Sequence, residues 1–221
     1  MGSGLVINGK AEMVDGLCIQ NWLDNPNLRL GPNDRRARYS TEKVCAVVVH
    51  TTKGIPGGTN HTPQVILPGV GESSRAGERI VGSWTLDPTP AGAHFIVDFD
   101  GRIYCCADLA SEAAYHAQLA NGASIGIEMM QGSDASLYSS QLDTTVQLVV
   151  ALCERFGISK RIPLPYAGKP VPSLTGRLDG ISGVFGHRDL TNTRGQGDPG
   201  DEIMARLEAA GFARYDFSSG C

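Results

Sequence analysis

The sequence lacks the features that define several common protein classes. No run approaches about 18 apolar residues, so the sequence predicts no membrane-spanning helix. The net charge of −4 argues against a nucleic-acid partner, because such binding needs a concentrated basic face. The six cysteines are too sparse for a disulfide scaffold, and none has the Cys-x-x-Cys spacing of a thiolate zinc site. We interpret them as buried free thiols: Cys18, Cys45, Cys105, Cys106, Cys153 and Cys221.

The composition is typical of an ordinary globular protein. Its 221 residues are 41% hydrophobic and 19% charged, which suits one domain with a single sizeable core. Residues 1–43 show little periodicity, and they predict an irregular lead-in that packs on a core domain of residues 44–221. The start, Met1-Gly2-Ser3-Gly4, has neither region of a signal peptide, which indicates synthesis in the cytoplasm. A cloning scar that replaces a native leader is the alternative.

Strands that alternate with helices predict the fold class. The apolar runs 44–50 and 124–130 are typical of buried strands, and 93–98 with 102–107 flank an Asp-Gly turn that indicates a hairpin. Apolar spacing predicts helices over about 75–84, 141–156 (capped by Ser139 or Ser140) and 201–210. The sequence therefore predicts an α/β protein with a single mixed β-sheet flanked by helices.

Two stretches rich in glycine and proline predict surface loops, at 53–71 and 159–180. The first belongs to a connection of about 40 residues, which is long for a compact domain and more often functional than idle. We expect this loop to border a substrate cleft.

Two histidines and an aspartate occupy positions that suit metal ligands. His50 ends one apolar run, and His187 follows the short apolar run that ends at Gly186. Asp198 lies beyond a polar loop, just before Pro199. Imidazole and carboxylate are ligand types that Zn²⁺ accepts, and a catalytic zinc takes three protein ligands and keeps a position for water. The alternatives are that Asp198 is a helix N-cap with proline at the first helical position, and that each histidine is structural.

Glu128 is an acid inside an apolar strand. Side chains alternate along a strand, so Gly126, Glu128 and Met130 share one face. A carboxylate in such a place is costly unless it is paired or functional. A buried salt bridge and a catalytic role are therefore both open.

Five short motifs occur together and in order along the chain. They are V-V-V-H-T-T at 47–52, A-H-F-I-V-D-F-D-G-R-I-Y at 93–104, A-Y-H-A at 114–117, S-I-G-I-E at 124–128, and G-H-R-D with D-P-G at 186–189 and 198–200. With these motifs the sequence resembles the zinc-dependent N-acetylmuramoyl-L-alanine amidases (amidase type 2), a family that includes phage lysins, cell-wall recycling amidases and peptidoglycan recognition proteins. The resemblance covers roughly residues 44–210.

The resemblance implies a function and a set of ligands. It implies one Zn²⁺ per chain, held by His50, His187 and Asp198, with Glu128 as the catalytic acid and base. The implied substrate is peptidoglycan or a muropeptide, cut at the amide between N-acetylmuramic acid and L-alanine by a bacteriolytic, endolysin-like enzyme that works as a monomer. A non-catalytic peptidoglycan-binding module with the same groove is the alternative, and a zinc amidase with another amide substrate is a more distant one.

The chain departs from the family pattern close to the last ligand. Many members carry a lysine two residues before it, where this chain has Gln196, with Arg194 two residues further back. Candidate donors to the oxyanion are then Arg194, Gln196 and His116. We assign His94, Tyr115 and Asn121 to substrate binding, because the first two belong to family motifs and the third to the adjacent turn.

Overall fold

The secondary structure of the computed structural model covers residues 4–52, 76–131, 137–164, 178, 180–191 and 197–217, which are the residues described below. The strands are β1 (Leu5–Ile7), β2 (Lys10–Glu12), β3 (Ile19–Asn21), β4 (Arg35–Ala37), β5 (Ala46–Thr51), β6 (Phe95–Val97), β7 (Ile103–Cys105), β8 (Glu112–Ala114), β9 (Ser124–Met129), β10 (Arg161–Pro163), β11 (Gly183–Gly186) and β12 (Ala213–Tyr215). The helices are α1 (Ala76–Leu86), α2 (Ser139–Phe156), α3 (His187–Leu190) and α4 (Asp201–Ala209), with 3₁₀ turns at Pro26–Leu28 and Gln118–Ala123.

Six of these strands form a mixed central sheet in the order β11-β5-β9-β6-β7-β3. The strands β11, β5, β9 and β6 run parallel, β7 is antiparallel to β6, and β3 is parallel to β7. Three two-stranded pairs accompany the sheet: β1 with β2, β4 with β8, and β10 with β12. The predicted α/β class, a mixed sheet flanked by helices, is confirmed.

The two faces of the sheet pack against different partners. On one face, Val47 and Val49 belong to a large apolar cluster that also contains residues of α2 and α4. On the other face, Val48 packs in a smaller cluster with Phe185. Since side chains alternate along β5, His50 points to the same face as Val48. The parallel register then places His50 opposite Glu128 of β9.

Helix α2 is joined to the sheet by one buried amide. The helix begins at Ser139 with Tyr138 as its N-cap, so the prediction that Ser139 or Ser140 caps it is wrong. The Gln141 side chain, which has no exposed surface, donates to the carbonyls of Val97 (2.9 Å) and Met130 (2.8 Å). It therefore adds a second hydrogen bond to the Val97 carbonyl, which also accepts from the amide of Met130 at 3.0 Å, and one to the Met130 carbonyl.

Residues 4–43 are more regular than the sequence predicts. Strand β3 extends the central sheet beside β7, and Leu5, Val6 and Ile7 of β1 are buried in the main core. Each of these strands has only three residues, too few for an alternating pattern to be visible in the sequence. Their pairing with distant parts of the chain, which the sequence does not reveal, determines the conformation.

Other predictions differ in their details. The expected loop 159–180 contains β10, which pairs with β12, and of its residues only 159–164, 178 and 180 are described. Cys18 is exposed and Cys45 half-buried, so the prediction of buried thiols holds for Cys105, Cys106 and Cys153, all free; Cys221 lies outside the described residues. Among the described helices, none combines the length and the apolar character needed to cross a membrane.

Candidate active site

His50, His187 and Asp198 converge at the carboxyl ends of two neighbouring parallel strands. His50 lies near the end of β5, and His187 directly follows β11, its parallel neighbour. His187 Nδ1 is 3.2 Å from Asp198 Oδ2, and His50 Nδ1 is 3.7 Å from Asp198 Oδ1. All three side chains are buried, and one ligand atom of each lies within 4.8 Å of the others. The sheet topology thus brings together residues that the sequence separates widely.

Two hydrogen bonds from backbone amides hold Asp198 in place. The amide of Thr51 donates to Asp198 Oδ1 at 3.1 Å, and the amide of Arg188 donates to the Asp198 carbonyl at 2.8 Å. Helix α4 begins only at Asp201 with Gly200 as its N-cap, so Asp198 does not cap this helix. Burial alone would raise the pKa of Asp198, but the hydrogen bond from His187 and the neighbouring His50 lower it overall. The carboxylate is therefore charged at neutral pH.

This donor set fits a zinc ion. Two imidazoles and one carboxylate on a buried, preorganised frame are ligands that Zn²⁺ takes in catalytic sites. The separation of 3.7 Å between His50 Nδ1 and Asp198 Oδ1 is too long for a hydrogen bond between them. The two atoms therefore face each other without a hydrogen bond between them, on the side where the three candidate ligands meet.

Glu128 lines the same cavity as the three candidate ligands. This half-buried residue of β9 lies opposite His50 in the register. The cavity has a volume of about 180 Å³. Its walls are formed by His50, Thr51, Thr52, Ile80, Trp84, Ala91, Gly92, Tyr115, His116, Glu128, His187 and Asp198. A carboxylate is thus placed beside the donor set, on a wall that a substrate can reach.

His116 lines the cavity and also contacts the candidate ligand His50. Its Nδ1 is 3.0 Å from His50 Nε2, and its Nε2 is 3.2 Å from Ser124 Oγ. Burial, followed by the nearby His50, lowers the pKa of His116 well below the usual value, so its ring is neutral at pH 7. Since both ring nitrogens are engaged, His116 has no spare N–H for an oxyanion. We therefore do not propose it as the oxyanion donor.

The three residues assigned to substrate binding lie in different places. Tyr115 is half-buried and lines the cavity, as a substrate contact requires. His94 has no exposed surface; its Nδ1 accepts from the amide of Gly126 (3.0 Å), and its Nε2 is 3.2 Å from the carbonyl of Glu112. Burial, followed by the charge of Arg38, lowers the pKa of His94 to about 3.

Asn121 is also buried and supports the segment that carries His116. Its Oδ1 accepts hydrogen bonds from the amides of His116 (3.0 Å) and Ala117 (2.6 Å). Asn121 and His94 therefore suit positioning roles better than direct substrate contacts. Arg194, Gln196 and the loop 53–71 lie outside the described residues.

Several residues of the site were not singled out from the sequence. Thr51 and Thr52 directly follow His50, and their place in that motif was a usable signal. The predicted helix over about 75–84 is α1, and among its apolar residues Val81 is buried in the core, whereas Ile80 and Trp84 line the cavity. Helical periodicity does not distinguish a core face from the wall of a cleft.

The fold and the site together define a candidate hydrolase: two histidines at strand ends and an aspartate from the turn before α4, with a glutamate that lines the same cavity. Comparison with known sequences gives the family. The profile of the N-acetylmuramoyl-L-alanine amidases matches residues 40–201, so the chain belongs to that family, as the motifs indicate. A search of curated proteins returns no match.

Solved structures of related fold include bacterial and animal proteins. A mutant endolysin from Bacillus subtilis is 19% identical with a TM-score of 0.53, and the alignment covers 86% of this chain and 99% of that one. The catalytic domain of XlyA is 20% identical with the same TM-score and coverage, 0.53, 86% and 99%. A mutant of Drosophila PGRP-LB in complex with tracheal cytotoxin is 15% identical, with a TM-score of 0.53 and coverage of 89% and 96%. At these identities the likeness establishes the fold.

Proposed function

We propose that this protein is a zinc-dependent N-acetylmuramoyl-L-alanine amidase that acts on the cell wall or its fragments. The observation that carries the proposal is the joint placement of His50, His187 and Asp198 beside Glu128 on one cavity. Membership of the amidase family supports the reaction class. A bound substrate would be peptidoglycan or a muropeptide, cut between the lactyl group of N-acetylmuramic acid and L-alanine.

Each residue of the site has a task in amide hydrolysis. His50, His187 and Asp198 would hold the ion through two nitrogens and one carboxylate oxygen. Zinc at this site would supply Lewis-acid activation of water and of the amide carbonyl. The water oxygen attacks the carbonyl carbon, and Glu128 accepts the proton that the water loses. Glu128 then passes that proton to the leaving nitrogen as the C–N bond breaks, which releases the amino group of L-alanine.

Residues of the cavity wall would position the substrate. Tyr115 and Trp84 are half-buried aromatic residues that line the cavity together with the polar site. Aromatic faces pack well against the apolar side of a sugar ring or of a peptide stem. Arg194 and Gln196 are our candidates for the donor to the oxyanion, on the basis of their place in the sequence.

The variant Glu128→Gln tests the proposed role of the carboxylate. It keeps the size of the side chain but removes the proton acceptor, so turnover should fall by about 10²–10⁴-fold while zinc content and fold are retained. The measurement is the release of L-alanine amino termini from purified cell walls, together with zinc analysis. Glu154→Gln, the same change on an exposed position of α2, serves as the control. A zinc-loaded Glu128→Gln protein with wild-type turnover would show that Glu128 has a structural role and not a catalytic one.

The same assay separates catalysis from binding alone. A non-catalytic peptidoglycan-binding module would sediment with cell walls and release no amino termini. Wild-type protein that binds walls but leaves every amide intact, with zinc present, would therefore favour the binding module.

A further inference from the structure

A chain of hydrogen bonds leads from Ser124 to the candidate ligand His50. Ser124, the first residue of β9, is fully buried and lies outside the cavity wall. Its Oγ is 2.7 Å from the carbonyl oxygen of Ala120 and 3.2 Å from His116 Nε2. His116 Nδ1 is in turn 3.0 Å from His50 Nε2.

When both imidazole rings are neutral, the protons in this chain can be arranged in only one way that satisfies every contact. A carbonyl oxygen only accepts, so the Ser124 hydroxyl must donate to Ala120. Ser124 Oγ then has only lone pairs for His116, which makes His116 Nε2 the donor. A neutral imidazole has one N–H, so His116 Nδ1 is an acceptor and His50 Nε2 must donate to it.

This direction leaves His50 Nδ1 without a proton. That atom faces Asp198 Oδ1 at 3.7 Å, on the side where the three candidate ligands meet. The opposite tautomer of His50 would place an N–H there and would have to lose or move it before an ion could bind. Hydrogen bonds to the second nitrogen of a histidine are the usual means by which proteins select the ligating tautomer.

We propose that Ser124 is a positioning residue that fixes the tautomer of His116 and, through it, presents the lone pair of His50 Nδ1 to the metal. The expected effect on metal binding rests on the function proposed above. The positions of the protons on Ser124, His116 and His50 follow from the hydrogen bonds alone. Gly126 keeps the arrangement in place, because a Cβ at that position would come within 2.6 Å of His116 Cγ. The amide of Gly126 also donates to His94, which fixes the strand behind the ring.

Zinc affinity is the first test. In Ser124→Ala, His116 loses its acceptor and its ring is free to adopt the other tautomer, so zinc should bind about 10–100-fold more weakly. The affinity is measured by competition with a chromophoric chelator at one fixed pH. Thr145→Val is the matched control, because Thr145 is equally buried and its hydroxyl also donates to a carbonyl four residues earlier, that of Gln141 at 2.8 Å. The control should bind zinc as the wild type does, and Ser124→Thr, which keeps a hydroxyl, should recover most of the affinity.

The tautomers themselves give a readout that a loss of general stability would not produce. With only five histidines, ¹⁵N–¹H correlation spectra of the labelled protein as purified can assign each ring. We expect His116 and His50 to carry their protons on Nε2 in the wild type, and His116 to change or mix tautomers in Ser124→Ala. His116 protonated on Nδ1 in the wild type would overturn the proposal even if no variant folds.

The outcomes separate this inference from the proposed function. A wild-type protein that binds no zinc contradicts the zinc amidase, while the spectra still decide the order of the protons. A wild-type protein that binds zinc, with Ser124→Ala equal to it in affinity and in tautomer, contradicts the role of Ser124 alone.

Discussion

The buried imidazole of His94 should make the stability of the protein sensitive to mild acid. Its folded-state pKa is lowered to about 3, whereas an unfolded histidine titrates near about 6.5. The unfolded state therefore binds the additional proton between these values, so the stability contributed by neutral His94 is complete above about pH 6.5 and is lost as the pH falls below it. The limiting slope is about 1.4 kcal/mol per pH unit for each such histidine.

His94→Asn tests this expectation, because an amide oxygen can still accept from the amide of Gly126 but does not titrate. Urea unfolding between about pH 7 and 5.5, above the range of carboxylates, should give a steeper loss of stability for the wild type than for the variant. His116, whose pKa is also lowered, contributes in the same direction in both proteins. Equal slopes for wild type and variant would show that His94 is not the titrating group.

Arg194 is a candidate for the cationic hydrogen-bond donor to the oxyanion, because Gln196 stands where many family members have a lysine. The lysine usual in the family would place a charge beside the developing oxyanion, where one donor contributes about 10²–10³-fold in rate. Gln196 offers a neutral and weaker donor, and Gly195 and Gly197 leave the backbone around Arg194 permissive. If Arg194 replaces the lysine, Arg194→Ala should lower turnover by at least about tenfold, and adding Gln196→Lys should restore much of it.

Turnover of these variants is measured with zinc content matched, and Arg102→Ala on the β6–β7 hairpin is the control for loss of an arginine. An unchanged turnover in Arg194→Ala would mean that Arg194 is a solvated loop charge, which is the alternative interpretation.

At the scale of single residues, the sequence indicated which candidate ligands would lie together, but not which buried contacts hold the surrounding residues. His50, His187 and Asp198 stand out because polar ligand types end apolar runs or follow a loop, and the structure brings them together. The buried contacts of His94 and Asn121 were not predictable, because their partners are backbone groups of β8, of β9 and of the segment just before the 3₁₀ turn. No pattern in a sequence reveals which amide a buried side chain will satisfy.

At the scale of elements, Gln141 of α2 offers a test of how the helix is attached. Gln141→Leu would remove this donor from the carbonyls of Val97 and Met130, at a cost of about 0.5–1.5 kcal/mol for each hydrogen bond lost; Val97 keeps its bond from the Met130 amide. The same change at Gln147, which is exposed on the same helix, should alter stability by no more than about 0.5 kcal/mol. Urea unfolding of the two variants measures the difference, and an equal effect would contradict the attachment.

Long or strongly apolar elements and the Asp-Gly hairpin of β6 and β7 were predictable, whereas the short strands near the start of the chain were not. Strand β5, with Val47, Val48 and Val49 fully buried, and helix α2, with its apolar stripe, follow from their own residues. Strands β1 to β4 do not, because three-residue segments become strands only when a partner strand is in place. The start of α4 at Asp201 likewise depends on Asp198, which is held by Thr51 and so cannot cap the helix.

At the scale of the whole molecule, the sheet brings distant parts of the chain to one cavity. Parallel pairing of β11 with β5 and of β5 with β9 aligns the ends that carry His187, His50 and Glu128. Family membership and this alignment both support the proposed reaction class, and the metal is the part of the proposal on which all the chemistry depends.

The most direct test is therefore zinc-dependent release of L-alanine amino termini from purified peptidoglycan. The wild-type protein is stripped with a chelator, analysed for residual metal, and assayed before and after one equivalent of zinc is restored. We predict that the stripped protein releases no amino termini, and that zinc restores the release together with about one bound ion per chain. Full release by a protein shown to be metal-free would contradict the account.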